Sequence, residues 1–160
     1  MAAEIVNIVV AGVGGQGVVS ASDIVADVAF RAGHDVKKAE VHGMSQRGGS
    51  VAADIRYGQR VLSPMIPQGA ADILVVLQED QVDANRHRLK PDGQLLTTEN
   101  LDPEKLKTLP PKTLNIALLG ALSRALDLPE TLWHDALDAA FRPEFHEANR
   151  AAFAVGRQTS

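Results

Sequence analysis

A chain of 160 residues, 45% hydrophobic and 4% aromatic, is long enough for one domain with a core of Val, Leu, Ile and Ala. A formal net charge of −4 offers no general attraction to nucleic acid or to an anionic membrane. The absence of cysteine excludes disulfides, thiol nucleophiles, thiolate zinc sites and cysteine-ligated iron–sulfur clusters, so redox chemistry needs an organic cofactor or another chain. Ile5 to Ala11 is continuously apolar, the pattern of a strand buried on both faces. It runs into Gly12-Val13-Gly14-Gly15-Gln16-Gly17 and then into Val18 to Ala32, whose apolar residues Ile24, Val25, Val28 and Ala29 recur at helical spacing. Gly33 stops that helix. Strand, Gly-rich turn and helix form the Rossmann-like start of an α/β sheet, presenting backbone N–H groups to a phosphate or another anion. The same G-x-G-x-x-G spacing also serves a tight turn with no ligand.

Asp35 to Val41 reads as a second, less apolar strand nearer an edge. Its acidic Glu40 stands where a dinucleotide fold binds a ribose, which keeps a free-standing dinucleotide-dependent oxidoreductase open as an alternative. The following loop, His42-Gly43-Met44-Ser45-Gln46-Arg47-Gly48-Gly49, is polar and Gly-rich. Arg47 suits bidentate capture of a phosphate or carboxylate, and Ser45 and Gln46 add donors. If the two strands are parallel neighbours, the two loops emerge side by side. Pairing of Arg47 with a local carboxylate is the structural alternative.

Ser50 to Tyr57 alternates and, with Gly58-Gln59 as its turn and Arg60-Val61-Leu62 as its return, predicts a β-hairpin and hence a mixed sheet. Asp72 to Leu77 is a further buried strand with Gln78-Glu79-Asp80 at its carboxyl end, where open α/β sheets place ligands. Gln81 to Leu89 predicts a short helix closed by Lys90-Pro91-Asp92-Gly93, and Gln94 to Thr98 the last strand. Leu101 to Thr113, with Pro103, Pro110 and Pro111, predicts a surface connection around a short helical turn. Helical periodicity then returns from Leu114, from Pro129 and over Glu144 to Gly156. The five histidines, His34, His42, His87, His134 and His146, show no metal-ligand spacing, and no metal site is expected. No apolar run reaches the roughly 18 residues that span a bilayer, and Met1-Ala2-Ala3-Glu4 is not a signal peptide, which points to the cytoplasm. No repeat or linker divides residues 1–160, which read as one domain.

Asn7-Ile8-Val9-Val10-Ala11 with Gly12 to Gly17, Glu40-Val41 with His42 to Gly49, and Val51 to Arg56 together resemble one family. It is the gamma-type subunits or domains of the 2-oxoacid:ferredoxin oxidoreductases, and the similarity is greatest to the beta subunit of indolepyruvate:ferredoxin oxidoreductase. Ser63-Pro64, Ala71-Asp72, Asn115 to Gly120 and Asn149 to Phe153 extend the resemblance along nearly the whole chain. The His-Gly-Met-Ser-Gln-Arg-Gly-Gly block is its most specific part.

The resemblance implies a three-layer α/β/α domain with a mixed, mostly parallel sheet and C-terminal helices. It implies an accessory subunit of a complex that oxidatively decarboxylates a 2-oxo acid to an acyl-CoA, with ferredoxin as acceptor. Thiamine diphosphate and the iron–sulfur clusters then lie in a large partner subunit with ferredoxin-like domains, and this chain holds no cofactor alone. The assembly expected is a hetero-oligomer, or a homodimer when the chain is isolated, with no nucleic-acid or membrane partner. Gly12, Gly14, Gly15, Gln16 and Gly17 and then His42, Ser45, Gln46, Arg47, Gly48 and Gly49 match the family's blocks and are the candidate surface facing the partner's cofactor or coenzyme A. A non-catalytic scaffold or regulator that retains the fold is a further alternative. In two places the chain departs from the family pattern: Leu101 to Thr113 is shorter than usual, and Gln78-Glu79 stands where an acidic residue directly after the strand is usual.

Overall fold

The computed structural model describes residues 4–42, 49–110 and 112–158. Its five-stranded sheet is built from β1 (Val6–Val13), β2 (Asp35–His42), β3 (Ser50–Gly58), β4 (Ala71–Val76) and β5 (Leu89–Leu96), in the order β2-β3-β1-β4-β5. The sheet is mixed. β3 runs antiparallel to both β1 and β2, whereas β4 runs parallel to β1 and β5 parallel to β4. The parallel share therefore lies in the half of the sheet beyond β1. The apolar sequence of β1 follows from its central place: Ile8, Val9, Val10 and Ala11 are fully covered, with neighbours on both edges and both faces.

The main helices are α1 (Val18–Arg31), α4 (Leu114–Ala125), α5 (Glu130–Ala140) and α6 (His146–Arg157). They share one hydrophobic core with Ile8, Val10, Ile55 and Val75 of the sheet. Trp133 and Phe153, both fully buried with ring centroids 5.8 Å apart, join α5 to α6. Helices α4 and α6 cross at two glycines. A Cβ at Gly156 would lie 1.7 Å from the Ala117 carbonyl oxygen, so side chains there would force the helices apart.

The opposite face is the thinner layer. Val9, Ala11, Leu74 and Val76 are covered there by Ile66 of the loop after β3 and by Val82, the first residue of α2 (Val82–Asn85). Asp54, 2% exposed, holds this layer down: its carboxylate accepts two 2.8 Å bonds from Arg88 Nη2 and one of 3.1 Å from the Ile66 N–H. A carboxylate in that position is tolerated only because it is fully paired.

Two local expectations are corrected. Arg60-Val61-Leu62 does not pair back on β3, since both edges of β3 are already occupied by β1 and β2. Asp35 Oδ2 accepts from the Val61 N–H at 2.8 Å, and Arg56 Nη1 donates to the carbonyls of Ser63 and Met65, drawing this segment across the sheet face. Lys90 to Gly93 belong to β5 and do not end a helix; the β4–β5 register shifts between Ala71 and Ile73, an edge irregularity that accommodates Pro91. Among the described residues, the connection after β5 carries a 3-10 turn (Thr98–Asn100) and then one short α-helix, α3 (Pro103–Leu106), as the prolines suggest.

Candidate functional site

The glycine loop turns at the carboxyl end of β1. Gly15 and Gly17 have φ of 88° and 81°, and Gly17 is the N-cap of α1 in the left-handed conformation, accepting from Ala21 N–H at 2.9 Å. No side chain caps α1, and its first turn carries no acidic residue. The free N–H groups of that turn therefore point outward with the positive end of the helix dipole.

Gln16 braces the loop from within. Its Oε1 accepts from Val13 N–H at 2.8 Å and its Nε2 donates to Gln78 Oε1 at 2.7 Å. Both ends of the amide are used inside the protein, so Gln16 braces the loop against the end of β4. Gln78, just beyond the end of β4, supplies the acceptor. Glu79 follows, and the neighbouring Glu99 carboxyl hydrogen-bonds it and pushes its pKa above the usual carboxylate range, with like-charge repulsion adding to the shift.

The second loop does approach the first, but by another route than expected. β2 is not the neighbour of β1, because β3 lies between them. The junction is made where β3 begins: Gly14 N–H donates to the Gly49 carbonyl oxygen at 3.0 Å. His42 is exposed at the end of β2, and its Nε2 lies 3.9 Å from Glu40. Ser45, Gln46, Arg47 and Gly48 lie outside the described residues. Glu40 pairs with Lys38, whose ammonium hydrogen-bonds it and holds its carboxyl below the usual range. Being two strands away from the glycine loop and already paired, Glu40 does not occupy the place that a ribose-binding acid takes beside the first strand of a dinucleotide fold.

Sequence reasoning missed a cavity of about 390 Å³ on the helical side of the glycine loop. Gly15, Gln16, Gly17 and Ser20 form one wall; Lys112, Leu114, Asn115 and Ile116 at the start of α4 form another, and Leu77, Phe141 and Asn149 complete the lining. Asn115 ties the walls together by donating from Nδ2 to the Gly17 carbonyl oxygen at 3.3 Å. Asn115 and Asn149 already marked the resemblance, but nothing local signals that they meet the glycine loop. Among the described residues no group of three His, Asp or Glu side chains is placed to hold a metal ion. None of the described helices is long and apolar enough to cross a membrane.

A family model described as pyruvate ferredoxin/flavodoxin oxidoreductase matches residues 7–159. The indolepyruvate oxidoreductase subunit IorB of Pyrococcus horikoshii is 31% identical over an alignment covering 94% of this chain and 93% of the relative. IorB of Thermococcus kodakarensis is 47% identical over 57% of this chain, but that match spans only 45% of the relative's length. Among solved structures, 2-oxoglutarate:ferredoxin oxidoreductase from Magnetococcus marinus, with 2-oxoglutarate, coenzyme A and succinyl-CoA bound, superposes with a TM-score of 0.78. The superposition covers 96% of this chain and 30% of that one at 22% identity, a likeness of fold.

Proposed function

This chain belongs to the pyruvate ferredoxin/flavodoxin oxidoreductase family, and from that premise we propose that it is the accessory, gamma-type subunit of a cytoplasmic 2-oxoacid:ferredoxin oxidoreductase. The complex oxidatively decarboxylates a 2-oxo acid, indolepyruvate being the candidate favoured by the IorB relatives, to carbon dioxide and an acyl-CoA while two electrons pass to ferredoxin. The observation that carries this reading is a family match running through both glycine loops and the C-terminal helices. A chain without cysteine cannot supply thiolates to iron–sulfur clusters, so these belong to the large partner subunit, with thiamine diphosphate beside them.

The role proposed for this chain is to present the joined loops, Gly12 to Gly17 and His42 to Gly49, to the partner's reaction centre and to the entering coenzyme A. Gly15 and Gly17 supply backbone donors, Gly14 ties the two loops together through its bond to Gly49, Gln16 holds the turn in shape, and Arg47 binds an anionic group of ligand or partner. Thiamine diphosphate supplies the decarboxylation chemistry in the partner. The uncapped start of α1 and the acid-free cavity beside it fit a phosphorylated ligand such as coenzyme A.

The test is association and ligand choice. Co-expressed with a large thiamine-binding chain, this chain should elute with it as one species. Titrated alone with NAD(H), NADP(H) and FAD, it should show no tight binding. Tight dinucleotide binding without association would replace this reading with that of a free-standing oxidoreductase.

A further inference from the structure

The amino end of the sheet, opposite the glycine loop, holds a second cavity, of about 480 Å³. It lies where β1, β4 and β5 begin and β3 ends, and the turn between α4 and α5 borders it. Four carboxylates line it, those of Glu4, Asp72, Asp92 and Asp127, against one ammonium, that of Lys90. Lys90 lies 2.7 Å from Asp72 and 3.9 Å from Asp92, and the Asp72 carboxylate also accepts from the Asn7 N–H at 2.8 Å. That half of the cavity is satisfied from within. Asp127 is not, for it is exposed and no cation among the described residues pairs with it.

Tyr57 is an independent observation. It is 4% exposed, lines the same cavity, and stands with its ring 5.0 Å from that of His34, another lining residue. No group among the described residues hydrogen-bonds its hydroxyl. Burial first, and then the charges of Asp127 and Asp72, push its pKa up to about 12, so the hydroxyl stands within the field of these two lining carboxylates and stays neutral at physiological pH. A buried phenol with no partner of its own points to a polar group that the protein does not itself provide. An unanswered carboxylate beside an unmatched, neutral hydroxyl selects a cation that brings its own N–H donors. No three of the described His, Asp and Glu side chains converge as metal ligands.

We propose that this cavity binds an organic amine, whose ammonium group donates to the Asp127 carboxylate and to the Tyr57 hydroxyl oxygen. The volume falls within the range of small-molecule sites. The apolar part of the lining, Ile5, Val6 and Leu126, accommodates the carbon chain. The surplus of carboxylates over ammonium groups draws a cation in and turns an anion away. This site needs nothing from the accessory-subunit reading.

The test is calorimetric titration of the full chain with putrescine, with spermidine and with Nα-acetyl-lysine methylamide. At least one should bind saturably, and more weakly as salt rises. Tyr57→Phe keeps the ring and removes a hydroxyl that no described protein group uses. Its melting temperature should match the parent's while its affinity falls about fivefold, the loss of one hydrogen bond. Asp127→Asn, a change at an exposed side chain, should weaken binding about tenfold, the loss of one charge-assisted contact. Asp83→Asn, at a side chain 98% exposed and outside the cavity, should leave the affinity unchanged. Spermidine binding more tightly than the lysine derivative identifies a free polyamine, and equal affinity a lysine side chain of another chain; both support the site. No binding of any of the three overturns it, as do affinities untouched by both Tyr57→Phe and Asp127→Asn. Equal weakening by Asp83→Asn and Asp127→Asn would reduce the effect to diffuse charge attraction and overturn it too.

Discussion

Gly15 and Gly17 are two residues apart, and both have positive φ, yet alanine should be tolerated very differently at them. At Gly15 an added Cβ meets nothing within 4 Å, so the cost is the left-handed backbone alone, about 1 kcal/mol. At Gly17 the Cβ would lie 2.4 Å from Asn115 Nδ2. Asn115 is 7% exposed and cannot simply swing into solvent. Moving it sacrifices the bond to the Gly17 carbonyl, about 1 kcal/mol, and overpacks the start of α4 by about 1–3 kcal/mol. With the backbone cost included, Gly17→Ala should lose roughly 3–5 kcal/mol. For a chain of this size each kcal/mol moves the melting temperature by about 2–4 °C, so Gly15→Ala should fall about 3 °C and Gly17→Ala about 10 °C or more. Urea denaturation of the purified variants, followed by circular dichroism, measures both. Equal losses, or a Gly17→Ala variant as stable as its parent, would refute the claim that the glycine loop is packed against α4 through Asn115.

Three further outcomes are expected. Asp54→Ala leaves Arg88 largely buried and unpaired and should cost about 3–5 kcal/mol in urea denaturation, whereas Asp54→Leu combined with Arg88→Met should recover much of it. Glu79 has its pKa raised in the folded protein by Glu99, so the folded state holds this proton more tightly, and the penalty on stability grows as pH rises from the unfolded value of 4.5 through the folded one. Glu99→Gln should therefore match the parent in acid and melt higher than it at neutral pH; a difference independent of pH would contradict the carboxyl contact. In the reconstituted complex, Arg47→Ala should lower activity by the equivalent of about 2–5 kcal/mol, with Arg47→Lys rescuing only part. A loss of activity only in step with the melting temperature would make Arg47 structural.

The elements that could be read locally were the ones whose burial is written in consecutive residues. Ile5 to Ala11 announced the central strand, and the three C-terminal periodic stretches announced α4, α5 and α6. The less apolar composition of Asp35 to Val41 marked β2 as an edge strand. The failures were failures of long-range pairing. Arg60-Val61-Leu62 has a returning strand's composition, but whether β3 has a free edge depends on β1, far back in the chain. The cavity was hidden for the same reason. Lys112 and Asn149 are unremarkable one at a time, and only the packing of α4 and α6 carries them to the glycine loop. The brace that Gln16 makes with Val13 and Gln78 was hidden in the same way, since Gln78 lies far along the chain.

The most direct measurement of the central claim is an omission assay. A large thiamine-binding chain, purified anaerobically, is tested with several aryl and aliphatic 2-oxo acids and coenzyme A, with and without this chain, following ferredoxin reduction and acyl-CoA formation. Both should require this chain, and this chain alone should be colourless and inactive. A full rate from the large chain by itself, or reduction by this chain alone, would contradict the account.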